Sequence, residues 1–163
     1  MPTQLTWHEG WALGIEDLDA DHREMLRLLN LLFTAGYTSD GIPATPAAGS
    51  LAPGADPLEV LARLDAVLKH LRAHFEREEA FLERIGYPEL AQHSGEHALE
   101  KAELAELRRD LVNRQPLCLD EESAAAIKRW FFNHVIAEDQ RYAAYYFEHV
   151  LGEGHSRDGD PGA

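Results

Sequence analysis

Residues 71–97 read LRAHFEREEAFLERIGYPELAQHSGEH, from Leu71 to His97. Leu71, Phe75 and Leu82 continue the apolar line of Leu61, Leu64 and Leu68, at intervals that fit a helix. His74 and Glu78 stand within this line, four residues apart, and His93 and His97 repeat that spacing after a Gly86-Tyr87-Pro88 break. A spacing of i, i+4 stacks two side chains on one helix face, one turn apart. A link this short makes consecutive helices antiparallel neighbours. The stretch therefore predicts two packed helices that turn His74, Glu78, His93 and His97 towards a common interior.

Two more helices are predicted around this pair. Leu18, Met25, Leu26, Leu28, Leu29, Leu32 and Phe33 mark one over about residues 19–35. Asp56-Pro57-Leu58-Glu59 reads as the start of the second helix, with Asp56 as cap and Pro57 in the first helical position. Leu90, Leu104, Leu107 and Leu111 carry the third helix from Pro88 to about Asn113, and a fourth runs from a cap at Asp120 to about Leu151, before Gly152. No stretch alternates as a strand does. The expected fold is an all-α, antiparallel up-down four-helix bundle over residues 1–152. A Gly/Pro/Ala-rich loop at about 36–55 and a disordered tail at 153–163 complete it.

Composition narrows the function. The chain has 163 residues, the size of one ordinary domain, and 45% of them are hydrophobic, enough for a core. One cysteine, Cys118, allows no intramolecular disulfide. A net charge of -14 would repel nucleic acid and anionic membranes. The opening MPTQLTWHEG lacks the basic and apolar regions of a signal peptide, and no apolar run reaches the ~18–20 residues of a membrane span. A cytoplasmic protein without nucleic-acid partners or membrane insertion is expected.

Nine histidines direct attention to metals. Besides those of the central stretch, His22 lies just before Met25 and Leu26, and His134 and Asp139 lie in WFFNHVIAEDQRY. Five imidazoles and two carboxylates thus fall on mostly core-facing positions. Burying them is costly unless each is satisfied, and a shared metal centre satisfies all of them together. Seven ligands are too many for one tetrahedral zinc, and a nitrogen and oxygen set without thiolate suits iron or manganese. One spacing is awkward: His134 and Asp139 are five apart, roughly 140° around an ideal helix. Both reach one bundle axis only if their side chains lean or the helix is distorted. His93-Ser94-Gly95-Glu96-His97 is not a zinc-protease motif, which needs Glu directly after the first His. His8, His70, His149 and His155 read as surface residues, Glu76 and Glu79 as solvated or outer groups, and Tyr142, Tyr145 and Tyr146 as helix packing.

These residues resemble the hemerythrin family in its bacterial single-domain form. The resemblance runs through Trp7, Gly14-Ile15, Leu18-Asp19-Ala20-Asp21-His22 and Asn30. It continues through His74-Phe75-Glu76-Arg77-Glu78-Glu79, Gly86-Tyr87-Pro88, His93 and His97, and ends in Trp130-x-x-Asn133-His134 and Asp139-x-x-Tyr142. It implies two iron ions, cycling between ferrous and ferric, with a bridging oxo or hydroxo group. His93, His97 and His134 would hold one iron, and His22 and His74 the other, with Glu78 and Asp139 bridging them. Dioxygen would bind at the two-histidine iron, in a dry pocket formed by Met25, Leu26, Trp130, Phe131 and Val135. Phe131 stands where the family commonly has an aliphatic residue, and Leu82 where it commonly has methionine.

The resemblance implies an oxygen carrier or store rather than an enzyme. Ferritin-like oxidases use Glu-x-x-His. That motif is absent here, and the nearest match is Asp19-x-x-His22. A di-iron enzyme or an oxygen or redox sensor acting on peroxide or nitric oxide is the alternative, and a structural metal bundle is a further one.

Overall fold

The computed structural model describes residues 4–35, 56–113 and 119–152. The 36–55 loop, the 153–163 tail and Cys118 lie outside the described residues. Within them the chain is helical, with α1 (Glu16–Ala35), α2 (Pro57–Ile85), α3 (Leu90–Asn113), α4 (Glu121–Phe132) and α5 (Asp139–Tyr145). A six-residue π-helical turn, Asn133–Glu138, joins α4 to α5, and a second, Tyr146–Leu151, follows α5. The fourth predicted helix is thus one continuous rod with two widened turns. Successive rods pack as the arms of an up-down bundle, α1 on α2, α2 on α3 and α3 on α4. No described helix is long and apolar enough to cross a membrane.

The helix ends follow from local chemistry. Asp56 accepts a hydrogen bond from the Leu58 amide at 2.9 Å, and Pro57 occupies the first turn, where its missing N–H costs nothing. Asp120 accepts from the Ser123 amide at 2.8 Å and caps α4 in the same way. α1 begins earlier than predicted, at Glu16, because the acidic Glu16, Asp17 and Asp19 suit the positive end of the helix dipole. α2 ends at a left-handed Gly86 (φ 66°), whose amide and that of Tyr87 satisfy the last carbonyls of the helix.

An N-terminal arm closes one side of the bundle. Asn30 clasps the Leu5 backbone through two hydrogen bonds, of 2.8 and 2.7 Å. The buried Asp19 carboxylate accepts the Leu13 and Gly14 amides at 2.7 and 3.0 Å. Asp19 therefore anchors the arm, which accounts for its place in the sequence pattern and leaves no Asp-x-x-His ligand pair with His22.

Two apolar layers fill the interior. The larger contains Met25, Leu29, Leu64, Leu71, Phe75, Phe131 and Val135 among others, and the smaller contains Leu18, Phe81, Leu82, Tyr87 and Tyr142. His22 lies between Leu18 and Met25, Glu78 between Phe75 and Leu82, and Asp139 between Val135 and Tyr142. Each side chain at the join thus has an apolar layer on either side. Each fully buried Leu or Phe in these layers contributes roughly 1.5–3 kcal/mol through the hydrophobic effect.

A Cβ at Gly86 would meet nothing within 4 Å, so Gly86→Ala tests backbone conformation alone. The left-handed conformation costs an L-residue about 1–2 kcal/mol. Urea unfolding of Gly86→Ala should show a stability loss of that size with an unchanged m-value.

Candidate metal centre

All seven residues singled out from the sequence are buried and meet at the join between the two apolar layers. α1 supplies His22; α2 supplies His74 and Glu78; α3 supplies His93 and His97. The π-helical turn and the start of α5 supply His134 and Asp139. Their contacts form one network. Glu78 Oε1 lies 3.1 Å from His93 Nε2, and Glu78 Oε2 lies 3.2 Å from His74 Nε2 and 3.4 Å from His97 Nε2. Asp139 Oδ2 lies 3.1 Å from His22 Nε2, while its Oδ1 lies 3.4 Å from His134 Nε2 and 3.7 Å from His93 Nε2. His22 and His74 face each other at 3.3 Å through Nε2.

The five-residue gap between His134 and Asp139 has a structural answer. The Asp139 amide donates to the His134 carbonyl, an i to i+5 bond that widens the turn. The widened turn brings the two side chains to the same side of the rod.

Many inward atoms in the cage lack conventional partners. Glu78 Oε2, His97 Nε2, His134 Nε2 and both Asp139 oxygens are buried without a hydrogen-bond partner among the described residues. Leaving such groups unmet costs about 1–3 kcal/mol each. A cation answers that cost, because it binds oxygen and nitrogen lone pairs directly. Two overlapping sets have ligand atoms within 4.8 Å of one another: Glu78, His93, His97 and His134, and His74, Glu78, His134 and Asp139. They overlap at Glu78, whose two oxygens can serve two ions, and at His134, whose single Nε2 lone pair can serve only one. His22 adds to the second through Asp139 and His74.

Every cage imidazole points Nε2 inward, and four of the five meet a carboxylate through Nδ1. His97 Nδ1 lies 2.7 Å from Glu79, His134 Nδ1 3.1 Å from Glu100, His74 Nδ1 3.3 Å from Asp21, and His93 Nδ1 3.8 Å from Glu96. Arg77 grips Asp21 through two hydrogen bonds, each 2.8 Å. Neither His22 Nδ1 nor His134 Nδ1 makes an aligned hydrogen bond among the described residues, so Glu100 faces His134 as a nearby charge.

Charge in the cage is arranged by these neighbours. Burial opposes ionisation of Glu78, but the close imidazoles of His134, His74, His93 and His97 hold its carboxyl well below the usual range. Burial, followed by the nearby Glu78 charge, pushes Asp139 well above its ordinary value. Two carboxylates this close do not ionise together readily. Burial and the neighbouring His74 lower His22 to about 3. Burial also works against a charged His74, yet Asp21 and Glu78 raise it to about 9. His134 rises against its own burial, driven by Asp139, Glu100 and Glu78.

Of the predicted pocket residues, Met25, Leu26, Phe131 and Val135 are buried. Trp130 is only partly buried: its ring stacks near His134 at 6.2 Å and 16°, and it also lines a cavity of about 330 Å³ with Glu100, Arg129 and Asn133. Three readings change with the fold. His70 is partly buried, with Nε2 2.9 Å from the Asp21 carbonyl, rather than a plain surface residue. Tyr142 is fully buried with its ring 5.6 Å from His93, so it borders the cage rather than simply packing helices. Phe75 was legible only as core, yet it stacks flat on His97 at 3.7 Å and 8°. Asp21, Glu96 and Glu100 had no assigned role. Glu100 is three residues from His97 on the same helix, which is a spacing signal, but its pairing with His134 crosses helices and leaves no mark in the sequence.

A cation entering this cage must displace protons from His74, His134 and Asp139. Calorimetric titration with a divalent cation at pH 7, in buffers of different ionisation enthalpy, should show net proton release. Affinity should fall steadily as pH is lowered, because protons compete more strongly for the same lone pairs. Binding without proton release would place the ion elsewhere.

Comparison with known proteins agrees with this geometry. The chain is 27% identical over 146 residues to a bacteriohemerythrin of Stenotrophomonas maltophilia, covering 90% of this chain and 84% of that protein. It is 26% identical over 136 residues to a bacteriohemerythrin of Ralstonia nicotianae, covering 83% and 84%. A solved structure of a leucine-to-phenylalanine mutant superposes with a TM-score of 0.70 at 21% identity, over 88% of this chain and 97% of that one, a likeness of fold. The family description "Hemerythrin HHE cation binding domain" matches residues 13–146, a span that includes every residue of the cage. The chain belongs to the hemerythrin family.

Proposed function

We propose that the chain holds two iron ions in this cage and binds dioxygen there reversibly, for transport, storage or delivery. The observation that carries the reading is the set of buried, partnerless oxygens and ring nitrogens of Glu78, His97, His134 and Asp139 facing one another. Such a nitrogen and oxygen set without thiolate suits iron. His93, His97 and His134 would hold one ion, His22 and His74 the other, and Glu78 and Asp139 would bridge them. The two Asp139 oxygens already divide in that sense, Oδ2 towards His22 and Oδ1 towards His134 and His93. Bound ferrous ions would supply the electrons for taking up dioxygen and recover them on its release.

The chain's own residues favour release over oxidation. Five neutral imidazoles and only two carboxylates leave a ferrous pair under-neutralised, so the higher oxidation state gains less than in a carboxylate-rich cage. Met25, Leu26, Phe131 and Val135, all buried in the larger apolar layer, would form a dry wall, with Leu82 and Tyr142 of the smaller layer on the opposite side. Excluding water preserves the electrostatic hold of the cage on its ions and limits proton leakage.

Iron-loaded protein, reduced without air, should develop a visible absorption band on exposure to oxygen, and the band should fade on degassing. His74→Ala and Glu78→Ala should each abolish it. Rapid, repeated turnover of hydrogen peroxide without a reversible band would favour the enzyme reading instead.

A further inference from the structure

The outer carboxylates are distributed unevenly between the two halves of the cage. Behind His93, His97 and His134 stand Glu96, Glu79 and Glu100, at 3.8, 2.7 and 3.1 Å from the respective Nδ1 atoms. Among the described residues, neither Glu79 nor Glu100 has an arginine or lysine at ion-pair distance, so their charge is directed at the imidazoles. Aromatic faces steady two of these rings, Phe75 at 3.7 Å from His97 and Trp130 at 6.2 Å from His134.

The other half is backed differently. His74 meets Asp21 at 3.3 Å, but Arg77 takes both Asp21 oxygens at 2.8 Å. His22 Nδ1 is buried with no carboxylate at ion-pair distance among the described residues, whereas His134 Nδ1, which likewise makes no aligned hydrogen bond, faces the Glu100 carboxylate at 3.1 Å. An outer carboxylate that accepts from Nδ1–H fixes the Nε2 lone pair inward, orients the ring and raises its basicity. An imidazole without one must find its orientation as the ion binds.

Resting on the two-ion reading above, we infer that Glu79 and Glu100 are positioning residues that make the His93–His97–His134 half of the cage the tighter of two unequal cation sites. Neither touches the ion. Each acts through the imidazole in front of it, Glu79 by a hydrogen bond to His97 Nδ1 and Glu100 by its charge 3.1 Å from His134 Nδ1.

The test is an anaerobic titration of the full chain with Co2+, read by calorimetry and by the visible bands of the bound ion. The wild-type chain should take up two ions in two resolvable steps. Glu79→Ala and Glu100→Ala should each weaken the tighter step by about 10–100-fold and leave the weaker step in place. Asp21→Ala should move the weaker step instead. Glu79→Gln should recover most of the lost affinity, since its amide oxygen still accepts from Nδ1–H. Circular dichroism and urea unfolding of the metal-free Glu79 and Glu100 variants should match the wild type, which separates positioning from folding. Equal wild-type steps, an equal fall in both steps, no change in either, or a Gln variant no better than the Ala variant would overturn the inference. A wild-type chain that binds fewer than two ions would sink the two-ion reading itself, and this inference with it.

Discussion

Glu78 lies at the centre of the molecule with no solvent exposure, and imidazoles from α2, α3 and the π-helical turn converge on it. An isolated buried carboxylate would be severely destabilising, and removing its partners would leave an uncompensated charge. The bundle is tolerable only if three rods arrive at one level with their imidazoles turned towards this residue. That requirement sets the register of α2 against α3 and of both against the fourth rod. The apolar layers supply the driving force for association, but they are fluid in register. Leucine in a neighbouring turn would pack nearly as well, whereas a histidine one turn out of place would leave Glu78 unmet.

The π-helical turn follows from the same constraint. A regular helix would carry Asp139 roughly 140° around the rod from His134. The bond from the Asp139 amide to the His134 carbonyl absorbs the difference. Such turns are rare in helices and concentrate at functional sites, because they sacrifice regular hydrogen bonding to redirect a side chain. Here the redirected side chain is a carboxylate whose two oxygens separate the two halves of the cage.

Outside the cage, polar residues hold the frame. Asp19 ties the N-terminal arm to α1 through the Leu13 and Gly14 amides, and Asn30 does so again through Leu5. Asp21 joins Arg77 to His74 and so links α1 to α2 directly behind a cage imidazole. The motif Leu18-Asp19-Ala20-Asp21-His22 thus contains three different tasks within one helical turn and a half: anchoring the arm, backing His74, and facing the centre.

Most of the architecture is legible in the sequence. Apolar periodicity located the helices, Asp56-Pro57 and Asp120 marked two starts, and Gly86 marked a stop, because these are local effects of backbone and capping chemistry. Four of the seven cage residues were legible for a related reason: i, i+4 spacing on an apolar face is a local geometric fact for His74 with Glu78 and for His93 with His97, whereas His22, His134 and Asp139 were joined to them by the resemblance. The tertiary structure alone decided how His134 and Asp139 share a side, because the π-helical turn is a response to packing rather than to local propensity. It also decided which carboxylate backs which imidazole. Glu100 reaches His134 and Asp21 reaches His74 across helix interfaces, and contacts between rods depend on their relative register, which no short stretch of sequence encodes.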